Sequence, residues 1–168
     1  MTAELLASPR TDESGIPRAP GAVSESARSW AVGMLMATVP SPARLAEQAL
    51  STAAVQAGLS EIEVARAMVA GSRGTPIPAA IEEALNDAVR AARRPVGSRR
   101  SGSFLMPTRV DADRALTRFF DARVRLYAAP GDPGARRAVD DAVYTLCVLM
   151  AQPSPYEAVN EAVRYTAP

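Results

Sequence analysis

The sequence predicts an all-α protein of about seven helices, and three observations predict it. Apolar residues recur at spacings of three and four along most of the chain, Pro, Gly and Ser separate the stretches that carry this spacing, and no stretch reads convincingly as a strand. With 168 residues, 48% hydrophobic and 22% charged, the chain is long enough for one medium core or two small ones.

Residues 1–23 mix Pro9, Pro17, Pro20, Gly15 and Gly21 with scattered charges and have no apolar period, so a disordered tail is expected. The first helix is predicted over residues 24–38, with Ala27, Trp30, Ala31, Met34 and Leu35 on one buried stripe. The second is predicted to start with Ser41 as N-cap and Pro42 in the first position, and to end at Gly58, which suits a left-handed C-terminal cap. Ser60 and Glu63 stand at capping-box spacing and open a third helix that stops at Gly71.

After the loop of residues 71–78, Ile81, Leu85, Ala88 and Ala92 share one face of a fourth helix, which Pro95 ends. Arg90, Arg93 and Arg94 there complement the C-terminal end of the helix dipole. Residues 95–103 read PVGSRRSGS, a composition with nothing to bury, and predict a flexible basic linker. A fifth helix over residues 110–128 is expected to pack Leu116, Phe120, Val124 and Tyr127, and a sixth opens at Asp132 and Pro133 with Val139, Ala142, Val143, Leu146 and Met150 as its core stripe. Ser154, Pro155 and Glu157 predict a capping box for a seventh helix carrying Ala158, Val159, Ala162 and Val163.

The linker divides the chain into a module over residues 24–94 and a second over residues 104–168. An internal repeat relates them: Leu35-Met36-Ala37, Pro40-Ser41-Pro42 and Ala49 recur as Leu149-Met150-Ala151, Pro153-Ser154-Pro155 and Ala162, with Val39 extra in the first copy. Each module is therefore expected to contain a similar helical hairpin.

Composition narrows the chemistry. The chain has no histidine, and all 19 of its basic residues are arginine. Histidine supplies most proton shuttles and metal ligands near neutral pH, and lysine supplies Schiff bases and the phosphate contact of P-loops, so triads, zinc sites and P-loops are excluded. The acidic residues fall mostly in first helical turns or on polar faces, where capping and solvation account for them. A non-catalytic protein with no cofactor and no metal is expected. Cys147 is the single cysteine and sits in the apolar run of residues 143–150, which predicts a buried, inert thiol. No stretch approaches the roughly 20 apolar residues of a membrane span, and no export signal is legible, so a cytoplasmic location away from membranes is expected.

The segment Ala31-Val32-Gly33-Met34-Leu35-Met36-Ala37, followed by a capped second helix and Val64-Ala65 on a third, resembles the ANTAR domain, a three-helix module of bacterial antitermination regulators. The resemblance covers about residues 26–69 and implies an RNA-binding regulator of transcription elongation that acts as a dimer. Val32 stands where a Lys is common in that family, and Ser51 and Thr52 stand where arginines often follow. Arg28, Arg44 and Arg66 are the candidate RNA contacts of this segment. The second half, from Phe104-Leu105-Met106-Pro107 through Tyr144-Thr145-Leu146-Cys147-Val148-Leu149-Met150 to Ala162 and Tyr165, resembles the streptomycete family called domain of unknown function 5133. That resemblance implies a helical actinobacterial regulatory or accessory protein.

Charge marks where nucleic acid would touch. Residues 1–89 hold six Arg against ten Asp and Glu, residues 90–125 hold ten against three, and residues 126–168 hold three against five, giving net charges of −4, +7 and −2. Arg93, Arg94, Arg99 and Arg100 lie in and beside the linker, and Arg114, Arg118 and Arg125 follow one face of the fifth helix, away from Leu116, Phe120 and Val124. Clustered arginines hold phosphates bidentately, which makes these seven the remaining candidate contacts. Structured RNA is the expected partner, and a homodimer or a regulatory protein without nucleic acid is the alternative. A helix-turn-helix DNA reader is weaker. Ala54, Gly58, Leu59 and Val64 have its spacing, but Ser60, Glu61 and Glu63 would put two carboxylates against the phosphates.

Overall fold

The computed structural model describes residues 20–93 and 107–168, and every secondary-structure element among them is helical. The helices are α1 (Pro20–Thr38), α2 (Ala43–Ala57), α3 (Glu61–Gly71), α4 (Ala79–Ala92), α5 (Arg109–Ala128), α6 (Pro133–Leu149) and α7 (Pro155–Thr166). The expected tail up to residue 19 and the linker of residues 95–103 lie outside the described residues. α1 starts at Pro20, four residues before the expected start, with proline in a position where its missing N–H is no loss.

Local punctuation explains most boundaries. Gly58 ends α2 with φ 66° and donates its N–H to the helix's last carbonyls. Ser60 and Glu63 form the expected reciprocal box: the Glu63 N–H donates to Ser60 Oγ at 3.3 Å and the Ser60 N–H to Glu63 Oε2 at 2.8 Å. Thr108 caps α5 and Asp132 caps α6 through the Gly134 N–H at 2.8 Å.

Two expected caps are not made by the residues assigned to them. Ser41 is buried and turns its hydroxyl to the Val39 carbonyl at 3.3 Å. α2 instead starts after Pro42, and its first N–H, on Ala43, donates to Asp140 Oδ1 of α6 at 2.7 Å. Ser154 precedes α7 but makes no capping bond, so the Ser154–Glu157 box is absent. Ser41 and Ser154 occupy equivalent places in the repeat, and both are buried at 4% exposure. The buried position of each serine takes it away from the solvent-facing geometry of a reciprocal box.

α2 packs on α4, α3 and α1, α1 packs on α3 and α5, and α5, α6 and α7 pack on one another. One hydrophobic cluster runs through all seven helices, from Ala31, Val32, Leu35 and Met36 through Leu50, Val64 and Ile81 to Phe119, Leu126, Val139, Leu146 and Ala162. Alanine dominates it, which lets helix axes approach closely. Gly33 takes this furthest, because a Cβ there would stand 1.9 Å from the Pro130 carbonyl oxygen in the α5–α6 turn.

The core stripe of α6 is the expected one, with Val139, Ala142, Val143, Leu146 and Met150 all buried. That of α5 is not. Ala112, Ala115, Leu116, Phe119, Ala122 and Leu126 are buried, whereas Phe120, Val124 and Tyr127 are exposed. α5 has two apolar stripes, and its packing against α6, α1 and α7 takes the one whose alanines permit close approach. In α1, Leu35 is buried but Trp30 and Met34 are half-buried, and in α7 Val163 is exposed. In α4, Leu85 and Ala92 are half-buried, while Ala84 joins Ile81 and Ala88 in the core.

Candidate nucleic-acid interface

α1 and α3 lie against each other, and their outer edges enclose a solvent-open cleft of about 560 Å³ lined by Ser26, Ala27, Trp30, Arg66, Val69, Ala70 and Arg73. Trp30 is the chain's single tryptophan. Part of its ring rests on the turn at Gly131, where a Cβ would come within 3.1 Å of Trp30 Cε3. Arg66, four residues before Ala70 on α3, and Arg73, just past the end of α3, are both exposed. Arg66 Nη2 donates to Ser24 Oγ at 2.9 Å in an exposed bond, and its charge acts on the Glu63 carboxylate one helical turn earlier. The cleft thus combines an aromatic ring with two guanidinium groups.

The other sequence-assigned arginines differ in their surroundings. Arg28 is committed internally: its Nε donates to Glu61 Oε2 at 3.0 Å and Glu47 lies 3.9 Å from Nη1. The Glu61 carboxylate raises the pKa of Arg28, and the Arg28 guanidinium, with help from Ser51, holds Glu61 below the usual carboxylate range. Arg44 and Arg93 are exposed, and Arg44 lines a groove between α2 and α6 with Gln48, Tyr144 and Cys147. Arg114 pairs across one helical turn with Asp111 at 3.7 Å, in the open. Arg118 and Arg125 line the groove between α5 and α6, where Asp141 also sits, so they face α6 and not open solvent alone. Arg94, Arg99 and Arg100 lie outside the described residues.

Arg123 belongs to none of the assigned sets and has the most specific contacts of any arginine described. Its Nε and Nη2 donate to the Ala37 carbonyl at 3.1 and 2.6 Å, and its guanidinium carbon lies 5.4 Å from the Phe119 ring centroid. Burial lowers its pKa. It is a structural residue that caps the negative end of α1 from the second half of the chain. Asp140 does the reverse at the start of α2, so opposite charges from α5 and α6 hold both ends of the α1–α2 turn.

Residues 104–167 match the family described as Protein of unknown function (DUF5133). The matched segment includes α5, α6 and α7 in full. No curated protein and no solved structure matches the chain. Within the matched segment, Cys147 is half-buried, less enclosed than expected, and burial pushes its thiol up. Among the described residues, no three His, Cys, Asp or Glu side chains converge to hold a metal ion, and no helix is long and apolar enough to cross a membrane.

Sequence reasoning had no signal for Arg73, which falls in a loop. It placed Trp30 in the core because its spacing to Met34 is that of a buried stripe.

Proposed function

We propose that this is a non-catalytic regulatory protein that binds structured RNA, with an unpaired base seated against Trp30 and its flanking phosphates held by Arg66 and Arg73. The observation that carries this reading is the cleft itself, where a half-exposed indole stands beside two exposed guanidiniums. Splayed bases of RNA loops stack on aromatic rings and arginine planes, whereas paired stems offer neither a free base nor a readable groove to such a site. The cleft also falls on the segment resembling the antitermination module, with Arg73 a few residues beyond it. The +7 charge of residues 90–125 would draw a polyanion toward the molecule before docking.

Because Trp30 is the single tryptophan, its emission reports the cleft directly. Titration with a hairpin RNA carrying an unpaired loop is expected to quench it saturably, and a fully paired duplex is expected to do so weakly. Trp30→Ala should weaken loop binding by roughly 5- to 150-fold, the range of one stacked base, measured by anisotropy of a labelled RNA. Replacing Arg66 and Arg73 together should lower the logarithmic salt slope by about 1.4. An emission spectrum unmoved by RNA at low salt, with no change in anisotropy, would end the proposal.

A further inference from the structure

Val110, Asp113, Thr117, Phe120, Val124 and Tyr127 follow one another along α5 at steps of three, four, three, four and three residues, the spacing of a coiled-coil seam. All six are exposed, Val124 by 69% and Tyr127 by 77%. The buried face of α5 is packed on α6, α1 and α7, and the seam runs along its exposed side, with the Asp113, Phe120 and Tyr127 row adjoining buried Leu116 and half-buried Arg123. We propose that a second copy of this chain covers it, with α5 packed antiparallel on the partner's α5 about a twofold axis between Thr117 and Phe120.

Charge selects this occupant and this direction. Val110, Thr117 and Val124 form one row of the seam, and Asp113, Phe120 and Tyr127 form the other. In an antiparallel pair each row meets the other row of the partner, so Thr117 faces the partner's Phe120 and Val110 faces the partner's Tyr127. Arg114 and Asp121 flank the seam on its solvent side, while Leu116 and Arg123 on the other flank are turned into the protein. Antiparallel geometry sets Arg114 against the partner's Asp121 and Asp121 against the partner's Arg114, so symmetry generates two opposite-charge pairs. Arg114 is free to make that contact, since its present link to Asp111 is a 3.7 Å pair of exposed groups. A parallel pair would set Asp113 on the partner's Asp113, a like-charge contact inside the seam. Antiparallel packing places Asp113 opposite the partner's Val124, which removes that like-charge contact.

This inference stands apart from the RNA cleft, which lies on α1 and α3. Sedimentation equilibrium of the full chain, from micromolar to several hundred micromolar, is expected to show a reversible monomer–dimer equilibrium. Val124→Arg should abolish the dimer while leaving the helical circular dichroism and the melting midpoint of the dilute monomer unchanged, because the side chain is exposed. Arg114→Asp and Asp121→Arg should each weaken the dimer by about tenfold, and the double variant should return to within about threefold of the native chain. A monomer at every concentration overturns the proposal. So does a dimer indifferent to Val124→Arg, or a double charge reversal as weak as either single one.

Discussion

Gly33 shows how much a single missing side chain can decide. Its Cα faces the Pro130 carbonyl so closely that a methyl group would overlap it, and the residue is buried in α1 where it touches the α5–α6 turn. The helix accepts the lower propensity of glycine in exchange for that approach. Gly33→Ala should therefore destabilise the protein by about 3 kcal/mol, the upper part of the usual overpacking range, and lower the melting midpoint by several degrees. A thermal melt followed by circular dichroism checks this, and an unchanged midpoint would mean that Pro130 does not rest on α1. Arg123 is legible at this scale only in hindsight. Helical spacing takes it off the face of Arg114, Arg118 and Arg125, but nothing in the sequence points to the Ala37 carbonyl it meets 86 residues away.

At the scale of the helix, boundaries were legible and faces were not always so. Caps and breakers act within a few residues, so Gly58, the Ser60–Glu63 box and Asp132 could be read without knowing the fold. The buried face of α5 is set by α6, α7 and α1, and alanines that carry little hydrophobic weight in the sequence carry it in the packing. The two copies of the Leu-Met-Ala and Pro-Ser-Pro repeat also diverge here. The first copy carries the buried Val39 between its Ala and its Pro, whereas the second lacks that residue, ends its helix earlier in the motif, at Leu149, and sets Ala151 at φ 50°, a left-handed conformation unfavourable for any residue with a Cβ. Ala151→Gly should stabilise the protein by about 0.5–1 kcal/mol, since the relieved strain exceeds the added chain entropy. Urea denaturation would show this as a higher midpoint at constant slope, and a lower midpoint would argue against the left-handed turn.

For the molecule as a whole, two carboxylates should pull its acid stability in opposite directions. Burial holds Asp140 above the usual aspartate range, so its contribution is present below about pH 4 and is lost as pH rises through the raised value. Arg28 holds Glu61 below its usual range, so that contribution is present above about pH 4.3 and is lost as pH falls through the lowered value. Urea denaturation between about pH 3 and 7 should show Asp140→Asn, whose amide oxygen can still accept the Ala43 N–H, losing ground to the native chain on acidification. Glu61→Gln should be less stable than the native chain at neutral pH and converge with it in acid. Curves that stay parallel to the native one would refute both assignments.

The crossed capping of the α1–α2 turn bears on how such a protein could be inherited. Arg123 and Asp140 both lie within residues 104–167, yet the helix ends they serve belong to the other half of the chain. A gene fusion that carried residues 104–167 into another protein would transplant a donor and an acceptor without their recipients. It would also uncover the alanine and phenylalanine face that α1 now shields. The stretch that matches the family and the stretch that shares one hydrophobic core therefore have different lengths here, and domain shuffling would have to move the longer of the two.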